Sequence, residues 1–219
     1  MARHTLFGNI NSDADLHLIQ QRVDVAPALP KLNLVDVPGA DGSLDLTEVL
    51  GVGVKYNDRT ITWTYALRPG TDWRAKLTEV SNALNGKRLH ITLDDDPGFY
   101  YDGRLSVTEH ASDGILKQIT IEAVCKPYKL VEALSEVGRT DLGTSYKTLN
   151  LPNLARPVVP LITTTAAETT LLFGADTFVV SAGEHKLPGI VLQAGANTLK
   201  AKVKTGTGTI KVTYQEALL

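Results

Sequence analysis

The stretch Ile61-Thr62-Trp63-Thr64-Tyr65 decides the reading of this chain. Large apolar side chains recur at every second position, with a threonine between each pair. An extended strand sends successive side chains to opposite faces, so Ile61, Trp63 and Tyr65 share one face and the threonines the other. Beta-branched threonine suits the outer face of such a strand. Just upstream, Val52, Val54 and Tyr56 alternate with Gly51, Gly53 and Lys55, and Asn57-Asp58 supplies turn residues between the two runs. The pair predicts a hairpin with one aromatic-rich buried face.

Downstream the period changes. Trp73, Leu77, Val80 and Leu84 fall on one stripe of a helix. Thr71 stands where an N-cap is expected, Asp72 in the first turn, and Gly86 just past the end. The spacing predicts a helix over Asp72 to Asn85. Strands then resume: Leu89, Ile91 and Leu93 alternate, Asp94-Asp95-Asp96-Pro97-Gly98 turns the chain, Phe99 to Glu109 reads extended, and Ser112-Asp113-Gly114 turns it again. Ile119, Ile121, Ala123 and Cys125 alternate on the way back. On the N-terminal side, Leu32 and Leu34 alternate with Lys31 and Asn33 before the turn residues of Pro38-Gly39-Ala40-Asp41-Gly42. A mostly antiparallel sheet with one helix against a face accounts for residues 1 to about 128.

Beyond it the pattern weakens. Lys129 to Pro157 ends in Leu151-Pro152-Asn153-Leu154-Ala155-Arg156-Pro157, which reads as a connection. Residues 158–219 are rich in threonine, glycine and alanine, with short apolar runs bounded by glycine, as in a small all-β sandwich. The organisation expected is therefore an N-terminal domain over 1–130, a connection over 131–157 and a second domain over 158–219.

Composition excludes more than it proposes. The chain has 219 residues, 43% of them hydrophobic, and a formal net charge of −2. Nothing in that balance singles out nucleic acid or an anionic membrane as partner. One cysteine, Cys125, makes no internal disulfide, and no zinc-type cluster accompanies it, which fits a reducing compartment such as a cytoplasm. The first residues lack a signal-peptide core, and no run is long and apolar enough for a membrane-spanning helix, so no membrane insertion is expected.

Several groups invite a chemical reading, and a plainer one is favoured for each. Asp94-Asp95-Asp96 could hold a hard cation, but it lacks a calcium-loop spacing and reads as a solvated turn. The histidines at 4, 17, 90, 110 and 185 are scattered and fit no metal or hydrolase motif, and His90 falls on the polar side of its strand. Gly51-Val52-Gly53 resembles half of a phosphate-binding glycine loop, but no helix follows at once and a close-packed or bulged strand is the favoured reading. Cys125 falls on an apolar phase, as a small core residue does. Trp63, Tyr65 and Trp73 could stack on sugar, yet their phases match buried faces. Lys200, Lys202 and Lys204 line one face of a strand, where they could meet phosphate or an acidic partner; lysine protecting an edge strand is the favoured reading. No catalytic, cofactor-binding or metal-binding residue is assigned, and no cofactor is expected.

Taken in order, several pieces resemble one known family, the siphophage distal tail proteins. They are Phe7-Gly8-Asn9-Ile10-Asn11-Ser12, Val37-Pro38-Gly39-Ala40-Asp41-Gly42-Ser43-Leu44-Asp45, Val54-Lys55-Tyr56-Asn57-Asp58-Arg59, the helix end Leu84-Asn85-Gly86-Lys87, Leu93-Asp94-Asp95-Asp96-Pro97, Tyr100-Tyr101-Asp102-Gly103-Arg104 and Ala123-Val124-Cys125-Lys126-Pro127-Tyr128. Leu192-Gln193-Ala194-Gly195-Ala196-Asn197-Thr198-Leu199 is similar to a strand-turn of the family's second domain. The resemblance implies a mainly β protein with one helix: a split-barrel-like antiparallel sheet plus helix at the N-terminus and a galectin-like β-sandwich at the C-terminus. It implies a virion protein of a bacteriophage tail tip, made and assembled in the host cytoplasm. Its expected partners are other copies of itself in a hexameric ring, the tail tube protein, the tail-associated or tape measure protein, and receptor-binding or baseplate proteins. DNA would pass through the ring without specific binding. The rival readings are a carbohydrate- or receptor-binding module of a baseplate, and a wall hydrolase, which would need paired carboxylates that the sequence does not announce. The second domain's scarcity of aromatics argues against carbohydrate binding, and a smooth threonine-rich face there would favour a protein partner.

Overall fold

The computed structural model describes residues 3–49, 53–113 and 116–219, with the side chains of 109–113 and 116 left aside. The chain divides into two units, Met1–Lys129 and Leu130–Leu219. Both are mainly β, and one helix is found among the described residues.

The first unit is built around Ile61-Thr62-Trp63-Thr64-Tyr65. It contains β1 (Thr5–Phe7), β2 (Ile10–Asn11), β3 (Leu18–Val25), β4 (Leu34–Asp36), β5 (Ser43–Asp45), β6 (Arg59–Leu67), α1 (Trp73–Leu84), β7 (Arg88–Leu93), β8 (Phe99–Asp113) and β9 (Leu116–Cys125). Its main sheet runs β2-β1-β7-β8-β9-β6-β3, with antiparallel pairing at each step. On β6, Ile61, Trp63 and Tyr65 are fully buried, while Thr60, Thr62 and Thr64 are half-buried on the other face. Trp63 meets the edge of Phe7 at a ring separation of 5.2 Å. Ile119, Ile121, Ala123 and Cys125 of β9 add to the same core, as do Val80 and Leu84 of α1.

Two local expectations change. The strand partners of β6 are β9 and β3, with Val23 of β3 opposite Trp63 and Val25 opposite Ile61, and not the described residues of the segment before it. Gly51 and Val52 lie outside the described residues. Gly53 has φ +71°, which breaks an extended run, and Tyr56 makes only an isolated bridge to Pro30. The N-cap of α1 is Asp72 rather than Thr71: its carboxylate accepts from the backbone N–H of Arg74 (3.0 Å) and Ala75 (3.3 Å). Thr71 sits one residue further out, and its carbonyl accepts a hydrogen bond from the Lys117 ammonium. At the other end Asn85 caps the helix and Gly86 turns away at φ +76°, as expected of a left-handed exit. The Gly86 N–H then donates to the Leu105 carbonyl at 2.8 Å, tying the helix end to β8.

The second unit contains β10 (Lys129–Val131), β11 (Ser135–Leu142), β12 (Lys147–Asn153), β13 (Leu161–Thr164), β14 (Thr169–Phe173), β15 (Asp176–Val180), β16 (Gly183–Lys186), β17 (Gly195–Val203), β18 (Gly208–Tyr214) and β19 (Ala217–Leu218). Two four-stranded antiparallel sheets, β11-β18-β13-β16 and β12-β17-β14-β15, share a core of Leu149, Leu151, Ile162, Leu171, Leu199, Ala201, Ile210 and Val212. A hydrogen bond from the Tyr214 hydroxyl to the Pro152 carbonyl (2.5 Å) links one sheet to the other.

The span 131–157, read above as a connection, instead carries β11 and β12 and supplies one strand to each sheet. Pro152 marked it as a linker in the sequence. In the fold Pro152 lies opposite Ala196 on β12, the end strand of its sheet, where a missing N–H is tolerated. Asn153 then fixes the exit, its side-chain amide donating to the carbonyls of Arg156 (2.8 Å) and Leu192 (3.2 Å).

Candidate assembly interface

Asp94 and Asp95 are exposed, Asp96 pairs with Lys129 at 2.7 Å, and the backbone N–H of His4 donates to Asp94. Among the described residues no group of three histidine, cysteine, aspartate or glutamate side chains is placed to hold a metal ion. His90 is exposed and stacks on Tyr100. Cys125 is buried, and that burial pushes its thiol up to about 12, far from the reactive range. Trp63 and Tyr65 are core residues and Trp73 is half-buried against the same core, so the three form no sugar platform.

The densest ion-pair cluster in the first unit centres on Asp102. The Arg88 guanidinium donates from Nε to Oδ1 (2.8 Å) and from Nη2 to Oδ2 (2.7 Å), and the Lys126 ammonium stands 2.8 Å from Oδ2. The Arg88 hydrogen bonds, with Lys126 adding to them, outweigh partial burial and hold the Asp102 carboxyl at about 2. A carboxylate so neutralised is structural cement between β7, β8 and the end of β9, and is ill suited to proton transfer.

What the sequence reading passed over is a surface. The strands β4 and β5 form a separate two-stranded sheet in which Leu34 pairs with Asp45, Val35 with Leu44 and Asp36 with Ser43. Every residue of both strands is exposed. The hairpin therefore has no buried face, although Leu34, Val35 and Leu44 are apolar and alternate or pair with Asp36, Ser43 and Asp45: Leu32 is 61% exposed, Leu34 52%, Leu44 54% and nearby Val49 68%. Val35 and Leu44 face each other on one side, and Leu32 and Leu34 share the other. An open hollow of about 570 Å³ lies at its root, lined by Pro30, Leu32, Thr47, Val49 and Val54 among others. Local bonds hold the hairpin's shape: Asn33 donates to the Thr47 hydroxyl (3.0 Å) and the Thr47 N–H to Asp45 (2.9 Å). An isolated hairpin is marginal in water, and contiguous exposed leucine and valine mark an interaction site. The alternation at Leu32 and Leu34 was legible. Its lack of a partner core was not, because that depends on where the rest of the chain goes.

The Lys200–Lys202–Lys204 row also lies differently from expectation. The strand that carries Lys200 and Lys202, β17, runs between β12 and β14 and is not an edge strand, and Lys204 follows its end. Lys204 pairs with Glu168 at 2.8 Å. Lys202 sits over the Tyr146 ring at 4.6 Å, and among the described residues Lys200 has no carboxylate partner.

One solved structure shares the whole path of the chain: the crystal structure of the SPP1 Dit protein, presented as a paradigm of the hub adsorption apparatus in phages that infect Gram-positive bacteria. The match covers 100% of both chains with a TM-score of 0.69 and 17% sequence identity. The fold is that of the SPP1 Dit protein. No family model and no curated protein sequence matches the chain. At this identity the Dit likeness concerns the course of the backbone; side-chain chemistry has to be read from this chain itself.

Proposed function

We propose that this chain is a structural component of a bacteriophage tail tip, in which copies of it close into a ring, six-fold by the resemblance, joining the tail tube to the tail-associated and receptor-binding proteins. The observation that carries the reading is the β4–β5 hairpin. With Val35 and Leu44 exposed on one face, Leu34 exposed on the other beside Asp36, Ser43 and Asp45, and no core of its own, it finds cover against a neighbouring copy, and repetition of that one contact around an axis closes a ring. The Dit fold supports the same role, since the SPP1 protein belongs to a hub adsorption apparatus. The first unit, corresponding to the 1–130 domain, is the ring-forming part, and the protein works in the virion after assembly in the host cytoplasm. The tape measure protein and then the genome pass through the lumen without being held.

The test uses the double substitution Leu34→Ser with Leu44→Ser. Both side chains are exposed, so the unfolding midpoint should stay within about 0.5 kcal/mol of the parent in stability. The parent should show a six-copy mass by light scattering at high concentration, or enter tail particles as a ring, and the variant should do neither. A parent that stays monomeric and also fails to join tail particles would refute the proposal, as would a variant that assembles like the parent.

A further inference from the structure

We propose that the outer face of the β12-β17-β14-β15 sheet is a docking surface for an extended segment of a partner protein that alternates carboxylates and ends in an apolar side chain. The inference stands on the second unit alone, so it survives if the ring reading fails.

Lysines on an edge strand discourage strand addition, but β17 is flanked on both sides, and its lysines need another explanation. The register places Lys200 between Thr148 on β12 and Leu172 on β14, and Lys202 beside Thr170. On β15 the outward positions are Thr177, opposite Leu172, and Val179, opposite Thr170, with Val179 62% exposed. No outward position on these four strands carries a carboxylate, so the two ammonium groups stand on a face of threonine hydroxyls and aliphatic side chains. Of the nearby acids, Asp141 is engaged with Arg139 and Lys147 and Glu168 with Lys204, while Asp176, at the start of β15, falls on the other phase, opposite Phe173. Charge complementarity therefore calls for an anionic partner.

The form of the partner follows from the geometry. Lys200 and Lys202 are two residues apart on one face of a strand, about 7 Å, which is the repeat between same-face side chains of any extended peptide. Further along the same line an open hollow of about 420 Å³ is bounded by Leu172, Phe173, Gly174, Ala196, Thr198 and Lys200. Asn197 also borders it, but its amide is consumed internally: Oδ1 accepts from the Gln193 N–H and Nδ2 donates to the Gln193 and Leu151 carbonyls. With Asn197 occupied, the remaining polar side chains of the hollow are Thr198 and Lys200, and Leu172, Phe173 and Ala196 give an apolar side chain a place to rest. Tyr146 presents a ring already covered by Lys202, which removes the stacking platform a glycan would use.

The test presents the full-length protein with a synthetic peptide of sequence Glu-Thr-Glu-Thr-Leu, capped at both ends, and reads backbone amide shifts by NMR during titration. Glycerol phosphate polymer and a neutral hexasaccharide are titrated in parallel. Peptide binding should perturb Lys200, Lys202, Thr170 and Leu172, weaken with added salt, and fall roughly two- to thirtyfold in the Lys200→Gln, Lys202→Gln double variant, the range carried by two exposed ion pairs. The double variant's own amide spectrum establishes that it is folded. Absence of peptide binding, equal binding by the variant, shifts located elsewhere, or binding of the phosphate polymer or hexasaccharide in preference to the peptide would each overturn the proposal.

Discussion

Residues 102 and 103 illustrate how much one position decides. Gly103 is not in a left-handed conformation, and its lack of a side chain is a matter of space. A Cβ there would lie 2.4 Å from the Cys125 sulfur and 3.2 Å from the Val124 carbonyl oxygen. Gly103→Ala should therefore destabilise by about 1–3 kcal/mol through overpacking, measured as a shift in the denaturant midpoint. Its neighbour Asp102 gives a pH signature. Its folded carboxyl titrates at about 2, below the ordinary 3.8, so its contribution is fully present above pH 4 and is lost as pH falls through the folded value. Asp102→Asn should be less stable than the parent at neutral pH, and the gap should close between pH 4 and pH 2. A gap that stays constant over that window would assign the loss to packing instead. Neither effect was legible beforehand, because both come from β7, β8 and β9 meeting at one point.

At the scale of elements, periodicity served well wherever one face is buried. The stripe of Val80 and Leu84 and the alternation of Ile61, Trp63 and Tyr65 are visible in the sequence because burial imposes them. Leu77 and Trp73 share the helix stripe yet are only half-buried, so the centre of α1's packing lies toward its C-terminal half. The start of α1 was misplaced by one residue, since threonine and aspartate are both good caps and only the backbone turn tells them apart. Asp72→Ala should cost about 0.5–2 kcal/mol, whereas Thr71→Ala should cost far less, as read by thermal unfolding of the two variants side by side. Pro152 misled in the opposite direction: an edge strand accepts a proline that a central strand would not, and edge or centre is decided by strands distant in sequence.

For the whole molecule, the fold class and α1 were readable, and the extent of the second unit was not. The stretch 131–157 carries too short an alternation to outweigh its prolines until β17 and β18 supply the pairing partners. Net charge is a property of the same scale. The chain carries a formal charge of −2, and residues 1–150 hold more acidic than basic side chains. Phosphate binding draws on counterion release from lysine and arginine contacts. The assembled protein should accordingly retain DNA weakly at physiological salt, and replacing Asp94, Asp95 and Asp96 by asparagine should increase retention in a filter-binding measurement. Tight, salt-resistant binding by the parent would contradict the open-passage reading.

The uncovered hairpin also sets a clock. Leu34 and Leu44 stand exposed on strands of only three residues each, so the free chain offers a protease with a preference for leucine an accessible first cut in this region. In the proposed ring a neighbour would cover those residues and shield the same bond. Brief digestion of a freshly opened lysate would then count newly made subunits against finished tails, with the clipped fragment reporting the pool still waiting for a place.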